Sequence, residues 1–138
     1  MKFNVRIYLL LFLSILMLNS CSIFDPIDNS PPVFNGAKAL TLFDPGFPHI
    51  PENVYFHLTW EAATDNVTPQ GRIVYLIYKN TGPVNYGTPS SMTDPGVLSA
   101  DVFTDMFEDT NFAVRARDEA GNIDTNTVIL TFIGTSSL

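Results

Sequence analysis

The chain carries few groups able to make or break a covalent bond. Its 138 residues include two histidines, His49 and His57, and one cysteine, Cys21. Neither histidine has a carboxylate at a spacing that suggests an acid–base pair, and the serines cluster in turn-rich stretches and the tail, so no nucleophile–base pair suggests itself. No G-x-S-x-G, H-E-x-x-H, P-loop or G-x-G-x-x-G is present. A lone cysteine rules out an internal disulfide framework and any zinc site built from several cysteines. The sequence therefore implies no enzyme and no cofactor.

What remains is binding chemistry, in two sets of residues. The first is acidic: Asp25, Asp28 and Asn29, then Asp65 and Asn66, then Asp118, Glu119, Asn122 and Asp124. Calcium takes six to eight oxygens from carboxylates and carbonyls, so Asp65, Asp118, Asn122 and Asp124 form a weak candidate calcium site. The competing reading is that Asp and Asn serve as turn residues whose side chains cap strand ends. The second set is Arg72, Arg115 and Arg117, the arginines that follow Arg6. Bidentate guanidinium groups suit carboxylate, sulfate or phosphate partners.

Composition limits what can position these residues. Apolar residues make up 46% and charged residues 15%, with 10 Pro and 8 Gly. The length allows one ordinary domain. Low charge and abundant Pro and Gly argue against a coiled coil, and 12% aromatic residues argue against disorder. Seven basic against fourteen acidic residues give a net charge of −7, which disfavours a binder of nucleic-acid phosphates.

The amino terminus reads as an address. Lys2 and Arg6 precede an apolar run over 7–18 (IYLLLFLSILML). Twelve helical residues rise only about 18 Å, short of the roughly 30 Å of a bilayer core, and match a signal-peptide core instead. The run ends in Leu18-Asn19-Ser20-Cys21, which resembles the lipobox of bacterial lipoproteins. The resemblance implies cleavage before Cys21 and acylation of that residue, giving a membrane anchor. Two or three acyl chains hold firmly where one holds marginally. Ser22 resembles the outer-membrane class of Gram-negative lipoproteins, in which an Asp at this position commonly means inner-membrane retention. Loss of residues 1–20 removes two basic residues and no acid, moving the charge from −7 to −9. Such a chain has no electrostatic attraction to anionic lipid. Residues 21–32 hold three prolines after Cys21 and read as a stiffened tether.

Residues 33–138 form the expected domain. Runs rich in Val, Ile, Phe, Tyr and Thr suggest strands over 33–42, 54–60, 72–79, 98–104, 111–118 and 125–133. Turn signals such as Asp44-Pro45-Gly46 and Asp94-Pro95-Gly96 separate them. Short strands at this spacing indicate an antiparallel sandwich or barrel. Alternation then assigns faces. Val54, Phe56, Leu58 and Trp60 point inward, and Tyr55, His57 and Thr59 outward. Phe112, Val114 and Ala116 point inward, Ala113, Arg115 and Arg117 outward. Val128, Leu130 and Phe132 point inward.

Leu58-Thr59-Trp60, Thr64-Asp65-Asn66, Tyr75-Leu76-Ile77-Tyr78 and the run from Thr110 to Asn122 (TNFAVRARDEAGN) together resemble a bacterial fibronectin type III domain over about residues 31–133. The resemblance implies an all-β, immunoglobulin-like sandwich with Trp60 in its core. It brings the tether, the loop after the second strand and the loop before the last strand to one end, gathering the acidic set there. Phe112 stands where the family usually has Tyr, so the corner hydroxyl is missing and apolar packing is left to hold that turn. The outward phase of two neighbouring strands places Arg72, Val74, Leu76, Tyr78, Arg115 and Arg117 on one exposed face, a candidate interface. The competing reading is arginine stems that merely cover aliphatic neighbours. The long connection over 80–97 is expected to be a loop that contributes at most a short strand. The functional expectation is a non-catalytic, lipid-anchored envelope module that binds a protein or polysaccharide. The alternative is a structural or accessory subunit of an envelope complex.

Overall fold

The structure is a computed structural model and describes residues 27–46, 50 and 52–135. The expected signal peptide, Cys21, Asp25 and His49 lie outside these residues. The described part is all-β. Its strands are β1 (Ala37–Phe43), β2 (Asn53–Trp60), β3 (Val74–Asn80), β4 (Ser91–Met92), β5 (Ser99–Asp105), β6 (Thr110–Arg117) and β7 (Ile129–Phe132). They form two antiparallel sheets, ordered β1-β2-β5 and β4-β3-β6-β7, which face each other as a β-sandwich. Among the described residues, no helix is long and apolar enough to cross a membrane.

The alternation of apolar residues builds the core. Phe56, Leu58 and Trp60 of β2 meet Tyr75 and Ile77 of β3 and Phe112, Val114 and Ala116 of β6. Aromatic rings bridge the sheets: Trp60 and Phe34 each lie 5.3 Å from Tyr75, and Phe56 lies 5.3 Å from Phe132. Each large apolar side chain buried here contributes about 1.5–3 kcal/mol.

Two strands start four residues later than their sequence pattern. Strand β1 begins at Ala37 because Gly36 adopts a left-handed φ of 83° and sits against Asn126 and Val128. A Cβ on Gly36 would lie 2.6 Å from Asn126 Oδ1, so the close approach requires glycine. Upstream, Val33 makes only an isolated bridge to Thr64. Strand β7 begins at Ile129 because side chains replace its ladder. The Ala116 N–H donates to Asp124 Oδ1 (2.5 Å), and Asn126 Nδ2 donates to the Val114 carbonyl (2.9 Å). Val128 is consequently 37% exposed, contrary to its expected inward phase, while Leu130 and Phe132 do pack on the core.

The corner between β5 and β6 is not held by apolar packing alone. Thr104 Oγ1 and Thr110 Oγ1, both buried, share a hydrogen bond of 2.5 Å. This hydroxyl pair ties the two strands together at the turn where Phe112 lacks a hydroxyl of its own. Another tyrosine supplies a different tie: the Ala63 N–H donates to Tyr75 Oη at 2.8 Å in the core.

Candidate binding surface and acidic pole

The antiparallel register of β3 and β6 sets Val74 opposite Arg117, Leu76 opposite Arg115 and Tyr78 opposite Ala113, all on the outer face. That much follows the outward phase. The expected exposed patch, however, is absent. Leu76 and Tyr78 are each only 2% exposed, and Ala113 is wholly buried. The connection between β3 and β5 folds back over this face. It runs beside β3, with the Ser90 N–H donating to the Ile77 carbonyl, the Thr93 N–H to the Tyr75 carbonyl and the Gly96 N–H to the Ile73 carbonyl. Its Val84 and Tyr86 pack onto Leu76, Tyr78 and Ala113 as a second small core. Tyr86 meets Tyr78 edge-on at 5.1 Å, and the Arg115 guanidinium lies 3.6 Å from the Tyr86 ring centre. Burial pushes the Tyr78 hydroxyl above its ordinary pKa. Arg115 thus closes the outside of this cluster by a cation–π stack.

Arg72 is displaced as well. It ends a short 3-10 turn, Gln70–Arg72, ahead of β3, and its Nη1 pairs with Glu119 Oε1 at 2.8 Å. Of the six residues of the candidate interface, Arg72, Val74 and Arg117 still share one surface feature. They line an open hollow of about 620 Å³ with Pro95, Asp118, Glu119 and Ile123. Arg117 makes no ion pair among the described residues; its Nη2 touches Met92 Sδ at 3.9 Å. The hollow therefore combines a guanidinium without an ion pair among the described residues, a second one paired to Glu119, the buried acid Asp118 and the apolar side chains of Val74, Pro95 and Ile123.

The acidic residues do converge at one end, in a different set from the candidate site. Carboxylate oxygens of Asp28, Asp65 and Asp118 all lie within 4.8 Å of one another. Asp124 is not among them: it is buried, and its carboxylate serves Ala116 and Asn126. Asn122 sits at the rim but offers its N–H groups. Its Nδ2 donates to Asp118 Oδ2 (2.8 Å) and to the Asp28 carbonyl (3.1 Å). Asp65 Oδ1 accepts the N–H groups of Val67 and Thr68, as a turn residue should. Burial pushes the Asp65 carboxyl up, but hydrogen bonds from the N–H groups of Thr68, Val67 and Asn66 and with the Asp28 side chain outweigh it and hold Asp65 below the ordinary carboxylate range.

One pairing has no trace in the sequence spacing. His57 Nδ1 and Asp101 Oδ1 lie 2.5 Å apart across β2 and β5, and the imidazole stacks on Phe43 at 3.9 Å. The two residues are 44 positions apart, and only the strand register brings them together. Both side chains are well exposed on the open sheet face, where such a pair fixes the ring's orientation and contributes little stability. Compared with protein-family models, curated proteins and solved structures, the chain matches none.

Proposed function

We propose that this chain is a bacterial lipoprotein whose fibronectin type III-like domain, held at the cell envelope by acylated Cys21, binds a partner without catalysis. The basic start, short apolar run and Leu18-Asn19-Ser20-Cys21 support the anchor, and Ser22 supports the outer membrane as its place. The three-plus-four sheet arrangement, with Trp60 and Tyr75 at its centre, supports the domain type. The observation that carries the binding reading is the hollow beside β3 and β6. There Arg117, without an acidic partner among the described residues, stands next to exposed Ile123 and half-buried Val74.

A guanidinium left unpaired in so acidic a chain favours a partner that presents a carboxylate, sulfate or phosphate, on a protein or a polysaccharide. Val74 and Ile123 supply apolar area beside that contact. The test is a crosslinking pulldown from intact cells with the wild-type chain, Cys21→Ala and Arg117→Glu. Wild type incorporates labelled fatty acid and captures a reproducible partner. Cys21→Ala incorporates no label, and Arg117→Glu keeps the label but loses the partner. Unchanged labelling of Cys21→Ala refutes the anchor, and unchanged capture by Arg117→Glu refutes the surface.

A further inference from the structure

We infer that the hollow beside β3 and β6 takes an extended peptide segment bearing two acidic side chains, one for Arg117 and one for Arg72, and that Glu119 holds the Arg72 half until such a segment displaces it. The inference rests on the binding reading above, and adds to it a ligand class and an internal competitor for the site.

The register of the two strands brings the guanidinium groups together. Val74 lies opposite Arg117, and counting on two residues from each, past the end of the ladder, reaches Arg72 and Glu119. Arg72 and Arg117 are thus diagonal to each other, and both line the hollow. Diagonal positions on paired strands are about 7–8 Å apart. Alternate side chains of an extended peptide share a face at about 6.5–7 Å, so two acids in that spacing match the two arginines. Only one of these arginines is paired. Glu119 Oε1 lies 2.8 Å from Arg72 Nη1, whereas Arg117 has no ion pair among the described residues. Asp118 also lines the hollow, but Asn122 donates to both of its oxygens.

Glu119 displays the chemistry that the Arg72 half accepts, a carboxylate on a peptide side chain. That favours an acidic protein segment over a sulfated polysaccharide. The pair is open to solvent, with the Arg72 side chain 67% and the Glu119 side chain 48% exposed. An exposed pair of this kind is worth a factor of about five at most, so a ligand already held at Arg117 can replace it. Replacement needs only a side-chain swing. The Glu119 N–H donates to Thr68 Oγ1 at 3.2 Å and the Asp118 N–H to the Asn122 carbonyl at 3.1 Å, which keep the backbone of the loop in place. Val74 and Ile123 supply apolar surface beside the bound segment. A ligand with one acid gains Arg117 alone and leaves Glu119 where it is. Glu119 thereby sets a preference for ligands that present two acids together.

The experiment uses the full chain in detergent at low ionic strength, where exposed charges are least screened. Two peptides with blocked ends and an uncharged dye, Gly-Glu-Gly-Glu-Gly and Gly-Glu-Gly-Ser-Gly, are titrated by fluorescence anisotropy. Wild type is expected to bind both, the two-acid peptide more tightly, and Arg117→Gln to weaken both about tenfold. Glu119→Gln is expected to tighten the two-acid peptide about fivefold and to widen its lead over the single-acid one. That gain should disappear in an Arg72→Gln background, a coupling that the double-mutant cycle isolates. A gain that persists with Arg72→Gln, or that is equal for both peptides, reflects a lost negative charge rather than a displaced competitor and overturns the inference. Absence of any gain overturns it too, while binding that still depends on Arg117 leaves the reading of the hollow standing. If neither peptide binds, or Arg117→Gln weakens neither, that reading falls and the inference with it. Tighter binding of a disulfated disaccharide than of the two-acid peptide overturns the choice of a peptide as ligand.

Discussion

Replacing Tyr75 by Phe removes one oxygen from the middle of the core and little else. The ring, wholly buried, keeps its contacts to Phe34 and Trp60, each at 5.3 Å. What disappears is the acceptor for the Ala63 N–H, 2.8 Å away in a buried setting. A buried donor left without a partner costs about 1–3 kcal/mol. For a domain of this size each kcal/mol lowers the melting temperature by roughly 4–8 °C. The assay is urea denaturation followed by fluorescence of Trp60, the single tryptophan, with the slope expected to stay constant and the midpoint to fall. The effect also depends on pH. Burial raises the Tyr75 phenol above 10.0, partly opposed by the Ala63 N–H. A raised pKa means that the folded state favours the neutral phenol. Its contribution is therefore present below pH 10 and lost as pH rises through the folded-state value. The variant should lose less stability than wild type above pH 10. A penalty below about 0.5 kcal/mol at neutral pH, where surface changes usually fall, would show that the hydroxyl does not hold the Ala63 backbone.

Trp60→Ala should destabilise by about 3–5 kcal/mol, near the limit of what a small domain tolerates. Trp60→Phe should be milder, because it also removes an indole N–H that is buried without a partner among the described residues; urea midpoints separate the two. Thr110→Val should cost more alone than the double change implies, since it strands the buried Thr104 hydroxyl, whereas Thr104→Val leaves Thr110 Oγ1 its bond to the Glu108 carbonyl and should cost less; a double-mutant cycle measures the coupling. Tyr86→Ala should uncover Leu76 and Tyr78 and lose a cation–π contact worth about 0.5–2 kcal/mol, seen as a lower midpoint and new binding of an apolar dye.

The inner faces were legible because alternation is local: Phe56, Leu58 and Trp60, and Phe112, Val114 and Ala116, are all buried as their phase requires. The outer face of β3 was not legible, because strand phase says nothing of what a loop lays over it. Val84 and Tyr86, an apolar pair two residues apart in a polar connection, were the available signal for that cover. The start of β7 was misplaced because Asp124 and Asn126 bond the neighbouring strand with their side chains; two such residues beside an expected strand start could have warned of it. The acidic end was visible as a gathering of loops. That Asp28 rather than Asp124 joins Asp65 and Asp118 depends on distances between segments, and spacing along the chain carries none. The His57–Asp101 pair is likewise a product of register between two strands far apart in sequence.

Binding through the hollow beside Arg117 is tested most directly by a photocrosslinking amino acid placed in turn at Ile123 and at Thr59, on the opposite sheet, in living cells. Ile123 lines the hollow, and Thr59 lies on the outer face of the β1-β2-β5 sheet. The expected result is a discrete adduct from position 123 that Arg117→Glu abolishes, with none from position 59. Adducts only from position 59, or an adduct from position 123 that survives Arg117→Glu, would contradict it.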